Sequence, residues 1–168
     1  FASTQTYVRL QELGDENPLT VNRIMYTIHK KDARLIKNIG SKRFGMQLLL
    51  RGIYIHNDLF YIHVSLSNSS NVNFDIDHIR FRIADRKVAK RTALQETFVE
   101  PVRAYNAIAA VKAGETLRNV YVFQKFTIPD DKVLIMDVFE KNGGRHQSFM
   151  IQNTDLVDAH TVEELKIR

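Results

Sequence analysis

The sequence contains no cysteine. This absence excludes a disulfide scaffold, a thiolate nucleophile and every cysteine-ligated metal site, and it leaves the redox compartment open. No run of about eighteen apolar residues occurs, so we expect no helix that spans a bilayer. The chain starts with FASTQ and has no charged start followed by an apolar core, so we expect no targeting segment within it.

Patterns that mark common enzyme classes are also absent. Neither GxSxG nor HExxH occurs, and the sequence has no P-loop or dinucleotide-binding fingerprint. Hydrolase, metalloprotease and nucleotide-binding functions therefore have no positive support. We expect that the protein is not an enzyme and has no catalytic residues.

The 168 residues, 44% of them hydrophobic, suffice for one domain with an appendage. Apolar residues recur at steps of three and four from Val21 to Ile39, which predicts an amphipathic helix over 18–39. Pro18 suits its first turn and Gly40 its end. We predict an arm and helix in residues 1–43 and a β-sandwich domain in 44–168. Packing on the sandwich is the favoured role of the helix; a partner protein or a lipid surface are the alternatives.

Alternating apolar residues predict a hairpin that turns at Asn57 and Asp58. This register places Ile55 opposite Phe60 and Ile53 opposite Ile62. The apolar residues from Met46 to Leu50 have the other parity, so they match the partner strand only if the chain bulges at 51–52. Gly52 is a residue type that tolerates such a bulge.

A second hairpin is predicted at EKNGGR, with Asn142 and Gly143 in a type I′ turn. The pairs would be Glu140 with Arg145, Met136 with Phe149 and Leu134 with Ile151. The parity also changes around 77–78, which indicates a break or bulge in the strand there. Closely spaced strands joined by turns predict a mainly β fold, an antiparallel immunoglobulin-like β-sandwich with one N-terminal helix.

The sequence offers little support for a metal site. In the register of the first hairpin, His56 faces Leu59 and His63 faces the bulge, so the two rings do not share a coordination sphere. Asp75 and Asp77 could both reach one cation, but calcium takes roughly 6 to 8 oxygen ligands. We therefore predict no metal and no cofactor. The histidines considered are His29, His56, His63, His78, His146 and His160.

The stretch IRFRIADRKVAKR, residues 79–91, has six basic side chains against Asp85 alone. Arg80 and Arg82 alternate with apolar residues, which is typical of a half-buried strand with a solvated basic face. Contact with a protein or with lipid headgroups is one alternative, and nucleic acid is another. Nucleic acid is disfavoured because Phe81 falls on the apolar side and no nucleic-acid-binding motif accompanies the charge. Residues 29–43 are similarly basic.

Three segments carry a resemblance to a known family: IHKKDARLIKNIGSKRFGMQLLLRGIYIHNDLFYIHVSLSNSSNVNFDIDHIRF, DRKVAKRTALQE and FTIPDDKVLIMDVFEKNGGRHQSFMIQNTDLVDA. They resemble the C-terminal part of the TraN family, transfer proteins of Bacteroides-type conjugative transposons that are often classified as a domain of unknown function. The resemblance runs from about residue 15 to 168, with specific matches at Val88 to Thr92 and Phe139 to His146. Full-length members begin with a signal peptide and a β-rich region, so we expect this chain to be a C-terminal domain.

The resemblance implies a periplasmic, envelope-associated structural subunit of a conjugative, type IV secretion-like apparatus. It implies other transfer-apparatus proteins as partners, a possible homo-oligomer within a ring, indirect membrane association and no catalytic residues. We hypothesise that a basic face docks to an acidic surface of another transfer protein; the alternative is a nucleic-acid-contacting accessory protein that uses the same face. The residues of this face are Arg80, Arg82, Arg86, Lys87, Lys90 and Arg91.

Overall fold

The structure, a computed structural model, describes residues 13–14, 16–86 and 96–165. Helix α1 spans Pro18–Lys31, helix α2 spans Asn153–Val157, and a 3₁₀ helix spans Val162–Leu165. The strands in chain order are β1 Gly40–Arg43, β2 Met46–His56, β3 Leu59–Asn68, β4 Phe74–Asp85, β5 Thr97–Phe98, β6 Arg103–Ala104, β7 Ala110–Val111, β8 Thr116–Gln124, β9 Lys132–Glu140, β10 Gln147–Ile151 and β11 His160–Thr161.

These strands form two sheets packed face to face. Sheet 1 has the order β1-β2-β3-β8-β6, with β11 parallel to part of β2, and sheet 2 has the order β10-β9-β4-β5, with β7 beside β4. Phe81 of sheet 2 contacts the rings of Tyr121 and Phe123 of sheet 1, with ring centroids 5.1 and 4.8 Å apart. The prediction of a mainly β, antiparallel sandwich with an N-terminal helix is confirmed.

The first hairpin has the predicted register. Ile55 pairs with Phe60 and Ile53 with Ile62. Asn57 and Asp58 have φ values of 47° and 63°, the two positive values that a type I′ turn requires. The register shifts between Leu50 and Gly52, which confirms the predicted bulge. The bulge at 77–78 is confirmed too, as a register shift between Ile76 and His78.

The second hairpin has the predicted register but a different turn. Met136 pairs with Phe149, while the backbone ladder ends at the pair of Val138 and Gln147. Asn142 has a φ of 53°, whereas Gly143 does not have a positive φ, so the type I′ prediction is wrong. The loop is instead closed by a side chain, because the Glu140 carboxylate accepts hydrogen bonds from the backbone N–H and the Nε of Arg145, at 3.1 and 3.0 Å.

Helix α1 ends at Lys31, so the predicted end at residue 39 is wrong. Asp32 adopts the left-handed conformation, with a φ of 48°, and its N–H caps the Ile28 carbonyl. The N–H groups of Leu35 and Ile36 then donate to the Arg51 carbonyl at 2.8 and 3.0 Å. Tertiary hydrogen bonds to β2 thus replace the intrahelical bonds that the apolar spacing suggested.

Gly40 begins a strand instead of following the helix directly. Strand β1 pairs with β2 from Gly40–Leu49 to Arg43–Met46. The predicted sandwich boundary at residue 44 therefore falls in the turn between two strands of sheet 1.

The apolar face of α1 covers the outer face of sheet 1, as favoured from the sequence. The helix contributes Val21, Ile24, Met25 and Ile28, and the sheet contributes Tyr54, Leu59, Tyr61, Val120 and Val122. This cluster is separate from the inter-sheet core, so sheet 1 is buried on both sides. No helix within the described residues is long and apolar enough to cross a membrane.

A buried histidine lies in this outer layer beside the C-terminal cap of α1. The side chain of His63 is fully buried, and neither ring nitrogen has a hydrogen-bond partner among the described residues. Asp32 Oδ1 lies 3.8 Å from His63 Nε2, 2.9 Å from Arg51 Nε and 3.2 Å from Arg118 Nη1. Burial lowers the pKa of His63 to about 4; Asp32 opposes this shift, and Arg51, Arg118 and His29 add to it.

We expect the free energy of unfolding to decrease as the pH falls from about 6.5, the ordinary histidine pKa, to the folded-state value of about 4. In this interval the unfolded chain protonates His63 and the folded chain does not, so acid favours unfolding. At the lower end of this pH interval, the free energy of unfolding is reduced by about 3 kcal/mol. His29 adds in the same sense, because burial and Arg118 lower its pKa. Urea unfolding at stepped pH measures the effect.

The control for this experiment is an exposed histidine. His63→Leu should reduce the pH dependence between these limits to the part that His29 contributes, whereas His78→Gln should retain it in full, since His78 is exposed. A slope that His63→Leu leaves unchanged would show that another group causes it.

Candidate docking surfaces

The structure brings together two of the six predicted partner-binding residues. Arg80 and Arg82 lie on the outward face of β4, and Arg86 is exposed just after this strand. The other three, Lys87, Lys90 and Arg91, lie outside the described residues.

Asp137 joins Arg80 and Arg82 from the neighbouring strand β9. Its Oδ2 accepts hydrogen bonds from Arg80 Nε at 2.9 Å and from Arg82 Nε at 2.7 Å. Arg82 Nη1 also donates to Glu96 Oε1 at 2.6 Å. The hydrogen bond to Asp137 raises the pKa of Arg82 above its already high ordinary value. The two guanidinium groups and two carboxylates therefore form a network without net charge.

Arg80 is also part of an aromatic stack. Its guanidinium carbon lies 5.6 Å from the ring centre of Phe98 and 4.8 Å from that of Phe139. The His78 ring stacks on Phe139 at 4.4 Å, and His146 meets the same ring edge-on at 4.9 Å. Cation–π contacts and the ion pair together restrict the Arg80 side chain. It is thus an ordered part of the sheet surface and not a freely moving cation.

A row of largely apolar side chains crosses the same surface. Met150 pairs with Ile135, Ile135 with Arg82, and Arg82 with Phe98, across β10, β9, β4 and β5. Phe98 and Met150 are 54% and 56% exposed. Aromatic residues, Met and Arg are the types enriched in protein–protein interfaces. We call this outward surface of β10, β9, β4 and β5 the sheet 2 face.

The candidate metal ligands remain apart. His56 faces Leu59 and His63 faces Gly52, as the predicted register required. Asp77 Oδ2 lies 3.0 Å from the Nδ1 of its neighbour His78. No group of three or more histidine, aspartate or glutamate side chains suited to a metal ion occurs in the part of the chain that the structure describes.

A second surface, which the sequence did not reveal, lies at one end of the sandwich. Hydrogen bonds join its loops: the Ser69 N–H donates to the Gly45 carbonyl at 2.8 Å, and the Gly114 N–H donates to the Asn68 carbonyl at 2.7 Å. We call this surface the loop end. It consists of the connections 44–45, 69–73, 112–115 and 141–146.

The Asn68 side chain joins the 69–73 connection to the end of β7. Its side chain is buried, and Nδ2 donates to the Val72 and Val111 carbonyls at 2.8 and 3.0 Å. Its Oδ1 accepts from the N–H and the hydroxyl of Ser70 at 3.0 and 2.6 Å. Every hydrogen-bonding position of the amide is therefore used, three of them on the 69–73 connection and one on β7.

Arg145 connects the β9–β10 loop to the same segment. Its guanidinium donates to Ser70 Oγ and to the Asn73 carbonyl, both at 3.0 Å, and pairs with Glu140 at 2.7 Å. It also lies over the Phe74 ring, 5.3 Å from its centre. The hydrogen bond to Arg145 lowers the pKa of Glu140 below its ordinary value. The loop end is thus a preordered surface.

Phe44 is at the tip of the β1–β2 turn in an unfavourable conformation. Phe44 and Gly45 have φ values of 55° and 75°, so both are left-handed. Asn, Asp or Gly normally occupies the first such position, and a bulky residue there costs about 1–2 kcal/mol. The ring is 54% exposed and gains little burial in return. Its contact with the Arg43 guanidinium, at 4.8 Å, offsets only about 0.5–1 kcal/mol.

The ion-pair network predicts a large effect of removing Asp137. Asp137→Ala would leave Arg80 and Arg82 adjacent without their shared carboxylate, so we expect the free energy of unfolding to fall by about 2–3 kcal/mol. Chemical denaturation measures this loss. The matched control is Asp77→Ala, which removes an exposed carboxylate and should cost less than about 0.5 kcal/mol. Equal effects of the two substitutions would contradict a structural role for the network.

Comparison with known proteins gives a family. No curated protein matches the chain. A family described as a domain of unknown function, DUF4138, matches residues 18–161. The match extends from the first residue of α1 to the last residue of β11, so it includes the helix and both sheets. The chain therefore belongs to the DUF4138 family.

Proposed function

We propose that the protein is a non-enzymatic structural subunit of a conjugative DNA-transfer apparatus, a type IV secretion-like assembly in the cell envelope. It acts there by docking to other transfer proteins on the periplasmic side. The resemblance of its segments to the TraN family supports this assignment, and membership of the DUF4138 family is consistent with it. TraN identity is itself part of the proposal.

The observation that carries the docking role is the contrast between the two outer faces of the sandwich. Helix α1 buries the outer face of sheet 1, whereas Phe98 and Met150 remain more than half exposed on the sheet 2 face. These two side chains lie in one row with Ile135 and Arg82, so the exposed apolar groups are collected on one face and not scattered over the surface. The stack and the ion pairs also order Arg80 and Arg82 before binding, which lowers the entropic cost of an interface.

Charge defines the kind of partner. Arg80 and Arg82 are neutralised within the sheet 2 face. We therefore assign the positive charge that contacts a partner to Arg86 and the basic residues that follow it in the sequence. We infer that another transfer protein contacts this basic segment with an acidic surface. A neighbouring apolar surface of the same partner covers Phe98 and Met150. The segment comprises Arg86, Lys87, Lys90 and Arg91.

The alternative is a nucleic-acid-contacting accessory protein of conjugation. It gains support from Phe98, an exposed aromatic ring beside Arg80 on which a base could stack. Such binding would weaken steeply with added salt, because phosphate contacts release counterions. The pairing of Arg80 and Arg82 with carboxylates favours the protein partner, since fewer cations remain for phosphates.

The test is co-purification of tagged full-length protein from donor-cell envelopes, together with mating efficiency. One variant changes Arg86, Lys87, Lys90 and Arg91 to Glu, and a second combines Phe98→Ser with Met150→Ser. Each should reduce the recovered transfer proteins about tenfold or more, as expected when central interface side chains are lost. The control, Arg34→Glu with Lys37→Glu, changes charge elsewhere and should have no effect.

The outcomes separate the functions. Folded variants that recover the same transfer proteins and mate normally would overturn the docking role. Salt-sensitive binding of single-stranded DNA by the native chain, lost in the charge variant, would instead establish the nucleic-acid alternative.

A further inference from the structure

The loop end plays no part in the proposed docking face, yet it has two exposed apolar tips. Phe44 and Val72 are 54% and 64% exposed. They lie on neighbouring connections, because the Gly45 carbonyl accepts from both the N–H and the hydroxyl of Ser69. The Ser70 hydroxyl in turn contacts the Val72 carbonyl at 3.0 Å.

Four basic residues lie in or next to the connections of the loop end. None of the four has an ion pair with a carboxylate among the described residues, and all four are exposed. They are Lys42, Arg43, Lys112 and Lys141.

The nearby carboxylates compensate this charge only in part. Glu140 is paired with Arg145, and Glu115 accepts the backbone N–H of Lys112 at 3.0 Å. Asp75 is exposed on β4, where its carbonyl accepts the Lys141 N–H. Five basic side chains therefore stand against three acidic ones, and the loop end has a net positive charge.

The strain at Phe44 indicates that the exposed ring is retained for a purpose other than folding. A left-handed turn position would suit Asn without strain, and the ring gains little burial in the free protein. Strained residues of this kind are concentrated at ligand-binding sites. Asn68 and Arg145 moreover hold the loops in one arrangement, so the tips are presented rigidly.

We propose that the loop end binds the surface of an anionic phospholipid membrane. Phe44 and Val72 enter the interfacial region, and the lysines of the loop end and Arg43 face the lipid phosphates. Aromatic and aliphatic tips ringed by cations are the combination that binds such surfaces. Two exposed apolar side chains on separate connections fit a deformable lipid surface better than a protein partner, which would need two matching pockets. The resemblance implied only indirect membrane association, and this contact is direct.

The test is flotation of the full chain with vesicles of phosphatidylglycerol and phosphatidylcholine, compared with phosphatidylcholine alone. The native chain should bind the anionic vesicles, and binding should weaken with salt. Lys42→Glu with Arg43→Glu should reduce binding at least tenfold, since each cation near such a surface contributes about a fivefold gain. The matched control is Arg34→Glu with Lys37→Glu, which makes the same charge change in the same basic stretch, 29–43, but away from the loop end, and should leave binding within about twofold.

A second variant separates binding from folding. Phe44→Asn should reduce vesicle binding about tenfold or more, while its Tm stays equal to or above that of the native chain, because Asn fits the left-handed turn. Leu35→Asn is the control, since Leu35 is 41% exposed next to Arg34 but away from the loop end.

Three results would overturn the proposal: no binding of the native chain to anionic vesicles, equal losses in the two charge variants, or full binding by Phe44→Asn. If the native chain does not bind vesicles, but Phe44→Asn abolishes co-purification of a transfer protein from the envelope, the loop end binds a protein and not lipid. The substitutions at Phe98, Met150 and the basic segment test the sheet 2 face separately, so each proposal can fail alone.

Discussion

Strand β3 is buried on both sides, because sheet 2 covers the residues of one parity and helix α1 covers those of the other. This double burial determines much of the remaining structure. On the α1 side it places Tyr61 and His63 in an environment that disfavours charge, so the pKa of Tyr61 is raised and that of His63 is lowered. It also commits the one long helix of the described residues to sheet 1. The sheet 2 face therefore depends on its own ion pairs and ring contacts for order, and its exposed side chains remain accessible to another protein.

Local pattern predicted those parts of the fold whose partners are close in sequence. Both hairpin registers follow from parity and turn position, and the bulge follows from the mismatch in parity at 51–52. The end of α1 could not be predicted in this way, because the spacing of Leu35 and Ile36 fits a helix equally well. The Arg51 carbonyl accepts hydrogen bonds from the N–H groups of both residues, and these bonds stabilise a non-helical segment there. A hydrogen-bond acceptor on another strand leaves no trace in the periodicity of the segment it binds.

The candidate surfaces show the same limit. The sequence correctly placed Arg80 and Arg82 on one strand face, but their charge is balanced by Asp137, whose position depends on the pairing of β4 with β9. A count of basic residues therefore overestimates the positive charge of this face. The loop end could not be predicted for a related reason. Its turns can be recognised one by one in the sequence, but whether they lie close together depends on the sheet topology. Asn68 and Arg145 become organising residues only when that topology is known.

The two proposed surfaces also differ in direction. The sheet 2 face runs along the strands, whereas the loop end lies where strands β1, β3, β7 and β9 finish and the chain turns. A molecule attached to lipid by the loop end would stand with its strands inclined to the membrane and present the sheet 2 face sideways. Partners held on the same membrane would then meet this face at a raised effective concentration. At a raised effective concentration, a face of low intrinsic affinity is enough for docking. The sheet 2 face fits this requirement, because its arginines are already paired and its exposed apolar area is limited.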